Sequence, residues 1–347
     1  MRLRLLSSAL AVALAALVCL PAGCGSSNDV SLQGAGATFP APLYKRWFLE
    51  YYKRHPDVRV NYQAIGSGAG KRRFTEGVVT FGATDAFMNK AEIEDVPKDR
   101  GVVLLPMTAG SIVLCYNLRG APDDLRLTRQ AYADIFLGKI RQWNDPEIAN
   151  ANPGVSLPDV AITVVRRADS SGTTYNLTNH LSAISETWKA EKGTGTSIKA
   201  PADNVIAGKG NSGVAAMIQQ TPGAIGYLEY GYGELAHLPM AHLQNKAGAF
   251  VKPGPESGAA ALATAKVPEN LHVNLPDPDG EGSYPIVTCT WLICARHYAD
   301  AKKGEELKKV VHFCLTEGQE YSDQLGYIRL PEELRTKCLA ALDQVTY

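Results

Sequence analysis

Short apolar runs alternate with amphipathic patterns of helical period along most of the chain. The stretch 42–52 predicts a helix, because its large apolar residues recur three and four positions apart on one face. Over 58–62, valine and tyrosine alternate with polar residues, as in a half-buried strand. The same criteria predict strands at 102–105, 111–118, 161–165, 224–228 and 286–294, and helices at 173–184, 214–220, 303–315 and 332–345. Such alternation of strands and helices predicts an α/β fold.

Composition refines this picture mainly by exclusion. The chain has 347 residues, 45% apolar and 20% charged, as in ordinary globular proteins, and its length favours two domains. Its 35 basic and 35 acidic side chains cancel, which argues against a nucleic-acid-binding protein, since such a protein needs a basic excess. The stretch 248–279 is rich in Gly, Pro and Ala and predicts a loop.

The N-terminus is organised like an export signal. Arg2 and Arg4 precede an apolar run over 5–20, which is shorter than a typical membrane span. Residues 1–23 are therefore predicted to be a secretory signal peptide. Its removal leaves a net charge of 33 − 35 = −2, so an anionic ligand would need a local binding site.

Cys24 follows small residues at the end of this signal, as in the lipobox of bacterial lipoproteins. We therefore expect a lipid on Cys24, a flexible tether over 24–30, and a protein anchored to the outer side of the cytoplasmic membrane or in the periplasm. Pro21 stands where that motif usually has an aliphatic residue. Cleavage near Ala22, with Cys24 left free, is the alternative.

Five further cysteines follow. Export permits disulfides, but the sequence assigns no pairing, and four of the five lie in apolar runs typical of small core residues. Cys289 and Cys294 have opposite parity on the predicted strand 286–294, so they point to opposite faces and cannot hold one zinc ion from a regular strand. No metal site is expected.

Three loops of glycine and small hydroxyl residues, at 34–40, 66–70 and 169–174, lead into predicted helices, and a fourth, 82–85, ends a short strand. Helix N-termini present unpaired N–H groups and a favourable dipole to anions, and glycine allows close approach. Arg166–Arg167 ends a buried strand beside the third loop, where one guanidinium could contact an oxyanion.

Each of these features has a simpler explanation. Thr38, Ser67 and Ser171 could act only as helix caps, as could Asp85 after its strand. An arginine of the pair could form a surface ion pair with Asp169. The recurrence of three such loops nevertheless favours an anion-binding site.

Enzyme motifs fail specific tests. A Walker A loop is excluded because Ile65 and Arg72 replace its first glycine and its hydroxyl residue. The glycines at 208, 210 and 213 match a dinucleotide motif, but only two apolar residues precede them as a possible strand. No nucleophile elbow or H-E-x-x-H motif is present, and no histidine lies in the four loops. We therefore expect neither an enzyme nor a cofactor.

A series of motifs resembles the phosphate-binding proteins of Pst-type ABC transporters, the PstS family. The matching segments are GAGATFPAP (34–42), VNYQAIGSG (60–68), FGATDA (81–86), LGKIRQWND (137–145), VVRRADSSGTT (164–174), GKGNSGVAA (208–216) and PGAIGYLEY (222–230). The resemblance runs from about residue 31 to the C-terminus. It implies a two-lobed periplasmic-binding-protein fold of type II, with two hinge crossovers and the ligand between the lobes. Lobe I would comprise 31–105 and 286–347, and lobe II 106–285.

The resemblance also implies the site. The expected phosphate-binding residues are Thr38, Phe39, Ser67, Asp85, Arg167, Ser171, Gly172 and Thr173, with Asp169 orienting Arg167. The expected partners are inorganic phosphate and the permease and ATPase subunits of an ABC transporter, and the protein is expected to be a monomer. Many family members have Gly where Ser170 stands, a change that we do not expect to matter.

Asp85 is an unusual residue for an anion site. At neutral pH phosphate still carries at least one O–H, which a carboxylate can accept, whereas sulfate carries none and would be repelled. The alternatives are a binding protein for another protonated oxyanion, or a phosphate-sensing or adhesive surface lipoprotein. Sulfate and molybdate fit Asp85 poorly. A secreted phosphatase would need a nucleophile or metal cluster, which the sequence does not offer.

Overall fold

The computed structural model describes residues 29–198 and 204–347. The predicted signal peptide, Cys24 and most of the predicted tether lie outside the described residues. Within these ranges, no helix combines the length and the apolar character that a membrane crossing requires.

The strands of the described residues fall into two sheets. They are β1 Val30–Gly36, β2 Val58–Ala64, β3 Phe81–Thr84, β4 Val103–Asn117, β5 Arg126–Leu127, β6 Thr163–Arg167, β7 Val205–Gly208, β8 Ala224–Glu229, β9 His242–Gln244, β10 Phe250–Val251 and β11 Val287–Cys294. Eight of them form one long mixed sheet in the order β2-β1-β3-β11-β4-β8-β6-β7, and β10-β9-β5 form a small second sheet.

Helices connect these strands. They are α1 Ala41–Arg54, α2 Ser67–Thr75, α3 Lys90–Glu94, α4 Arg129–Leu137, α5 Pro146–Ala151, α6 Gly172–Ile184, α7 Glu186–Glu191, α8 Gly210–Gln220, α9 Tyr230–Leu235, α10 Pro255–Ala263, α11 Ala301–Leu315, α12 Glu320–Gln324 and α13 Glu332–Leu342, with a short 3₁₀ turn at Glu317–Gln319. The predicted α/β class is therefore confirmed, and α1 buries the aromatic face that its periodicity predicted.

Strand β4 joins the two halves of the long sheet. Its residues from Val103 to Ser111 pair with β11, and its residues from Ile112 to Asn117 pair with β8. One half therefore consists of β2, β1, β3, β11 and the start of β4, and the other of the end of β4, β8, β6 and β7. Parallel strands lie at the outer side of each half, and antiparallel pairing joins them through β4.

Two predictions of secondary structure were wrong. We predicted separate strands on either side of Pro106, but β4 is continuous. Its partner β11 shifts register between Thr290 and Trp291, opposite this proline, because proline donates no ladder hydrogen bond and is accommodated at a bulge. The predicted loop 248–279 contains β10 and α10, whose run of alanines after Gly258 has high helix propensity.

The cysteines agree with the core prediction. Cys115, Cys289, Cys294, Cys314 and Cys338 are all buried and unpaired. Burial raises the pKa of each of these thiols, which leaves them protonated and unreactive. Among the residues that the structure describes, no group of three His, Cys, Asp or Glu side chains is placed to bind a metal ion.

Candidate functional site

The first group of predicted site residues lies at the carboxyl ends of parallel strands. Thr38 and Phe39 connect β1 to α1, Ser67 is the first residue of α2, and Asp85 follows β3 directly. All four side chains are buried. This edge of an open α/β sheet is where ligands characteristically bind, since the loops and helix N-termini converge there.

The second group lies at the corresponding edge of the other half-sheet. Arg167 ends β6, Ser171 precedes α6, and Gly172 and Thr173 form the first turn of that helix. Arg167 is 2% exposed, so it is not a surface residue. It faces into the site, whereas Arg166 lines a separate cavity with Ile135 and Ile162.

The two groups are in direct contact. The Ser67 hydroxyl oxygen accepts hydrogen bonds from the backbone N–H groups of Gly172 and Asp85, both at 3.1 Å. Asn176 Nδ2 donates to the Asp85 carbonyl oxygen at 2.6 Å. At the edge of the contact, the N–H of Gly68 donates to the carbonyl oxygen of Ser170 at 3.1 Å.

Gly68 and Gly172 permit this close approach. A Cβ on Gly172 would lie 2.6 Å from both Asp85 Cβ and Ser67 Oγ. A Cβ on Gly68 would lie 2.2 Å from Ser170 Oγ. Distances this short do not occur between real atoms in contact, so the arrangement requires glycine at both positions. Ser170, which we expected not to matter, is therefore part of the contact.

Arg167 is held in a network of hydrogen bonds. Its Nε and Nη2 atoms bind the two carboxylate oxygens of Asp169 at 2.9 and 2.5 Å, and its Nη1 donates to Thr173 Oγ1 at 3.1 Å. Asp169 also accepts the N–H of Gly210 at 2.9 Å. Burial opposes ionisation of Asp169, but the hydrogen bonds and charge of Arg167 hold the pKa of Asp169 below its ordinary value.

Asp85 is buried and lies close to this cation. Burial raises its pKa to about 7, although hydrogen bonds from Thr290 and Ser67 and the charge of Arg167 favour the ionised form. Thr290 Oγ1 donates to Oδ1 of Asp85 at 2.7 Å, and Ser67 Oγ lies 3.5 Å from Oδ2. The carboxyl group can thus accept or release a proton near neutral pH.

Several backbone donors of the site are free. The N–H groups of Phe39, Ser67 and Thr173 find no hydrogen-bond acceptor among the described residues. Two of these groups belong to the first turns of α2 and α6, where the helix dipole favours an anion. Unpaired donors beside a buried guanidinium suit a small oxyanion, because each such donor is costly to leave without a partner.

The structure also shows which of the predicted site residues act as helix caps. Ser171 is a helix cap, since its hydroxyl accepts the N–H of Thr174 at 3.1 Å. Thr38 and Ser67 do not cap their helices, and Asn89 rather than Asp85 caps α3. Their polar groups are therefore available within the site.

Several residues of the site were missed. Asn211, the second residue of α8, donates from Nδ2 to Thr38 Oγ1 at 2.9 Å, and Tyr232 donates to the Thr38 carbonyl at 2.7 Å. Tyr327 donates to the Phe39 carbonyl at 2.6 Å and lies 3.3 Å from a carboxylate oxygen of Glu229. The contacts of Asn211 and Tyr232 hold the first loop against the second half of the molecule, and Tyr327 links this loop to Glu229.

Asn211 lies in the glycine-rich segment whose strand context we judged insufficient. That judgement was wrong, because β7 precedes the segment and α8 begins at Gly210. The loop is used differently from a dinucleotide-binding turn, since its first N–H groups bind Asp169 and Thr38.

Comparison with known proteins identifies the family. The profile of the PBP superfamily domain matches residues 24–317. Curated relatives named phosphate-binding protein PstS include one from Pasteurella multocida (strain Pm70), 40% identical over 316 residues that cover 89% of both chains. Another, from Xylella fastidiosa (strain Temecula1), is 37% identical over 317 residues and covers 90% of this chain and 85% of its own. The chain belongs to the PstS family. The relatives are named as binding proteins, which supports the prediction that the chain is not an enzyme.

Solved structures agree with this membership at the level of the fold. A phosphate-binding protein from Stenotrophomonas maltophilia aligns with a TM-score of 0.74 at 21% identity, covering 90% of this chain and 94% of its own. A high affinity periplasmic phosphate-binding protein, PfluDING, bound with phosphate, aligns with a TM-score of 0.74 at 20% identity over 90% and 93%. The predicted two-lobed fold of the PstS family is thereby confirmed.

Proposed function

We propose that this PstS family member binds inorganic phosphate at the junction of its two half-sheets and delivers it to the permease of an ABC transporter. The observation that carries the proposal is the convergence of Arg167, several free backbone N–H groups and the buried Asp85. A site built from donors with one embedded carboxyl group suits an anion that itself carries a proton.

Each predicted residue has a distinct role in this proposal. Phe39, Ser67 and Thr173 offer backbone N–H groups, and Thr38 adds a hydroxyl. Arg167 contributes a full positive charge in an orientation fixed by Asp169. Gly172 allows Ser67 and Asp85 to reach the same ligand, and Ser171 supplies the start of α6.

Asp85 is proposed to select phosphate over sulfate. As a carboxylate it accepts the phosphate O–H, whereas it would face the sulfate oxygens with no proton between them. An unmade hydrogen bond to a buried charged group costs on the order of 1–3 kcal/mol, to which repulsion of like charges is added.

The lobes of this protein are proposed to be 31–105 with 286–347, and 106–285. Strand β4 changes its pairing partner from β11 to β8, which supports a first crossover between the lobes in this part of the chain. Strand β11 pairs with the start of β4, which supports a second crossover where the chain returns to lobe I. Closure over phosphate would bring loop 66–68 against 170–172, the arrangement found here.

Outside these lobes, residues 1–23 are proposed to direct export and Cys24 to carry a lipid, with 24–30 as the tether of a monomeric protein at the membrane. Replacement Cys24→Ala should abolish labelling by a radioactive fatty acid and release the protein from membranes. Retention of the label would contradict the proposal.

Calorimetric titration of residues 26–347, freed of bound ligand, tests the binding function. We expect the wild type to bind phosphate and to bind sulfate at least about tenfold more weakly at pH 8. The variant Asp85→Asn should gain sulfate affinity, because the amide can donate to an oxygen that carries no proton.

The exposed Asp95, at the end of α3, provides a control carboxylate. Asp95→Asn should bind both anions like the wild type. A folded protein that fails to bind phosphate would overturn the proposed function. Equal sulfate affinities of wild type and Asp85→Asn would overturn only the role of Asp85.

A further inference from the structure

Thr290 lies on β11, directly opposite Asp85, which follows the neighbouring strand β3. Strands β11 and β3 are antiparallel, with Trp291 opposite Thr84, and the same register continued by one residue brings Thr290 to Asp85. Directly opposed residues of neighbouring strands have their side chains on the same face. The 2.7 Å hydrogen bond from Thr290 Oγ1 to Asp85 Oδ1 is therefore built into the pairing of the strands.

A bulge in β4, where Met107 has no partner on β11, fixes this placement. The register of β11 against β4 shifts immediately after Thr290, because Pro106 interrupts the ladder of β4. Bulges of this kind redirect individual side chains next to functional sites. Thr290 is itself fully buried, so bulk water does not compete with Asp85 for the Thr290 hydroxyl proton.

We propose that Thr290 is a positioning residue for Asp85 and determines which carboxyl oxygen is left to accept the ligand's proton. The inference rests on the proposed phosphate-binding function of this site. The single hydroxyl proton of Thr290 occupies Oδ1 at 2.7 Å, whereas Oδ2 has only the long 3.5 Å contact with the Ser67 hydroxyl, so Oδ2 is the oxygen available to accept the ligand's proton. Thr290 thereby keeps Asp85 an acceptor and maintains discrimination against sulfate.

Loss of the hydroxyl has a defined chemical consequence. Without the Thr290 donor the ionised form of Asp85 is less stable, so the carboxyl group retains its proton to higher pH. A protonated Asp85 can donate to an oxygen of sulfate. Removal of Thr290 should therefore relax specificity, although Thr290 is not itself expected to touch the ligand.

Other titratable groups near Asp85 also influence its ionisation. Its charged neighbours are Arg167, which favours ionisation, and Asp169 and Glu229, which oppose it. Buried phenols approach it from α1, β2, α9 and the segment after α12, namely Tyr44, Tyr62, Tyr232 and Tyr327. Among these groups, the phenol of Tyr44 also interacts with Thr290, so replacing Thr290 changes its surroundings as well.

Sulfate is the appropriate probe, since it does not titrate near neutral pH and phosphate does. We expect the sulfate affinity of the wild type to fall as the pH rises through about 7, where Asp85 ionises. In Thr290→Val the pH at which the sulfate affinity falls should be higher by on the order of one unit. At about pH 8 the ratio of sulfate to phosphate affinity should rise about tenfold.

Thr288 provides a matched control. It is a buried threonine two residues earlier on β11, and its hydroxyl donates to the carbonyl of Cys289 at 2.8 Å rather than to Asp85. Thr288→Val should therefore keep the wild-type sulfate profile. The pair Thr290→Ser and Thr290→Ala isolates the hydroxyl, because these side chains differ only in that group; the serine should behave like wild type and the alanine like valine.

A measurement without ligand separates this inference from the proposed function. Infrared difference spectra of the ligand-free protein, with Asp85→Asn as the reference, follow the C=O stretch of protonated Asp85 against pH. We expect its loss at higher pH in Thr290→Val than in the wild type. Identical titrations and sulfate profiles in folded Thr290→Ala and Thr290→Ser would overturn the inference even if phosphate binds. A wild type that binds no phosphate would instead overturn the proposed function.

Discussion

Arg166 and Arg167 are adjacent in the chain and have opposite environments. Arg167 is enclosed by Asp169 and Thr173, whereas Arg166 lies beside an apolar cavity and donates to a backbone carbonyl. The difference follows from the alternation of side chains along β6. The chain thus contains its own control for the role of a guanidinium at this site.

We expect Arg167→Lys to weaken phosphate binding by about 10- to 100-fold, because an ammonium group cannot bind both oxygens of Asp169 and also face the ligand. Arg166→Lys should leave the affinity within about twofold of wild type. Calorimetric titration of both variants tests this prediction. Equal losses in the two variants would contradict the assigned role of Arg167.

Single residues could be predicted where local sequence carried a signal. Glycine and hydroxyl residues before a helix marked the loops of Thr38, Ser67 and Ser171, and the family resemblance selected Asp85 from the fourth loop and Arg167 from the arginine pair. Thr290, Asn211 and Tyr232 had no such signal, because each is a single polar residue whose partner is 173 to 205 positions away. Strand register and loop docking bring these pairs together, and neither was available from the sequence.

At the scale of elements, the loop 66–68 and the segment after β6 interlock through the small size of Gly68. We expect Gly68→Ala to weaken phosphate binding by about tenfold, since its Cβ would collide with Ser170 Oγ and hinder closure. The double variant Gly68→Ala/Ser170→Gly should recover most of the affinity, because the next atom, the Ser170 carbonyl oxygen, would lie 3.6 Å away.

Calorimetry and small-angle X-ray scattering of these variants with saturating phosphate test the interlock. The single variant should remain more open than the double variant. If Ser170→Gly failed to restore binding, the collision would not be the cause of the loss.

Elements with strong periodicity were predicted well, and the reasons for the failures differ. The aromatic face of α1 and the apolar run of β11 were clear because burial alone determines them. Helix α10 was missed because its glycine and flanking prolines suggested a loop, although Pro255 occupies a first-turn position where proline is tolerated. Strand β4 was divided at Pro106 because the sequence does not show that a bulge in β4, at Met107, accommodates this proline.

At the scale of the whole molecule, Glu229 connects the ends of the two half-sheets. It is fully buried at the end of β8 and is bound by the N–H of Gly231 and by Tyr327, which also holds the Phe39 loop. Burial raises its pKa to about 8, although these hydrogen bonds favour ionisation. The folded protein therefore holds this proton more tightly than the unfolded chain does.

Such a group stabilises the fold fully below its unfolded pKa of about 4.3, and this contribution is lost as the pH rises through about 8. We expect Glu229→Gln to gain stability relative to wild type between these values, on the order of 5 kcal/mol in total. Urea unfolding at several pH values measures this difference. The exposed Glu234→Gln, in the adjacent α9, is the control, and a constant difference for Glu229→Gln across this pH range would refute the prediction.

The continuity of β4 has a consequence for how the molecule comes apart. One uninterrupted strand, β4, contributes to both half-sheets. Unfolding of either half-sheet would therefore also remove a central strand from the other. Calorimetric heating should accordingly give a single two-state endotherm for the ligand-free protein, whereas two resolved endotherms would show independent halves. For the same reason, a fragment limited to either lobe should fail to fold on its own. Although closure requires two bodies that move, thermodynamically the chain would behave as one.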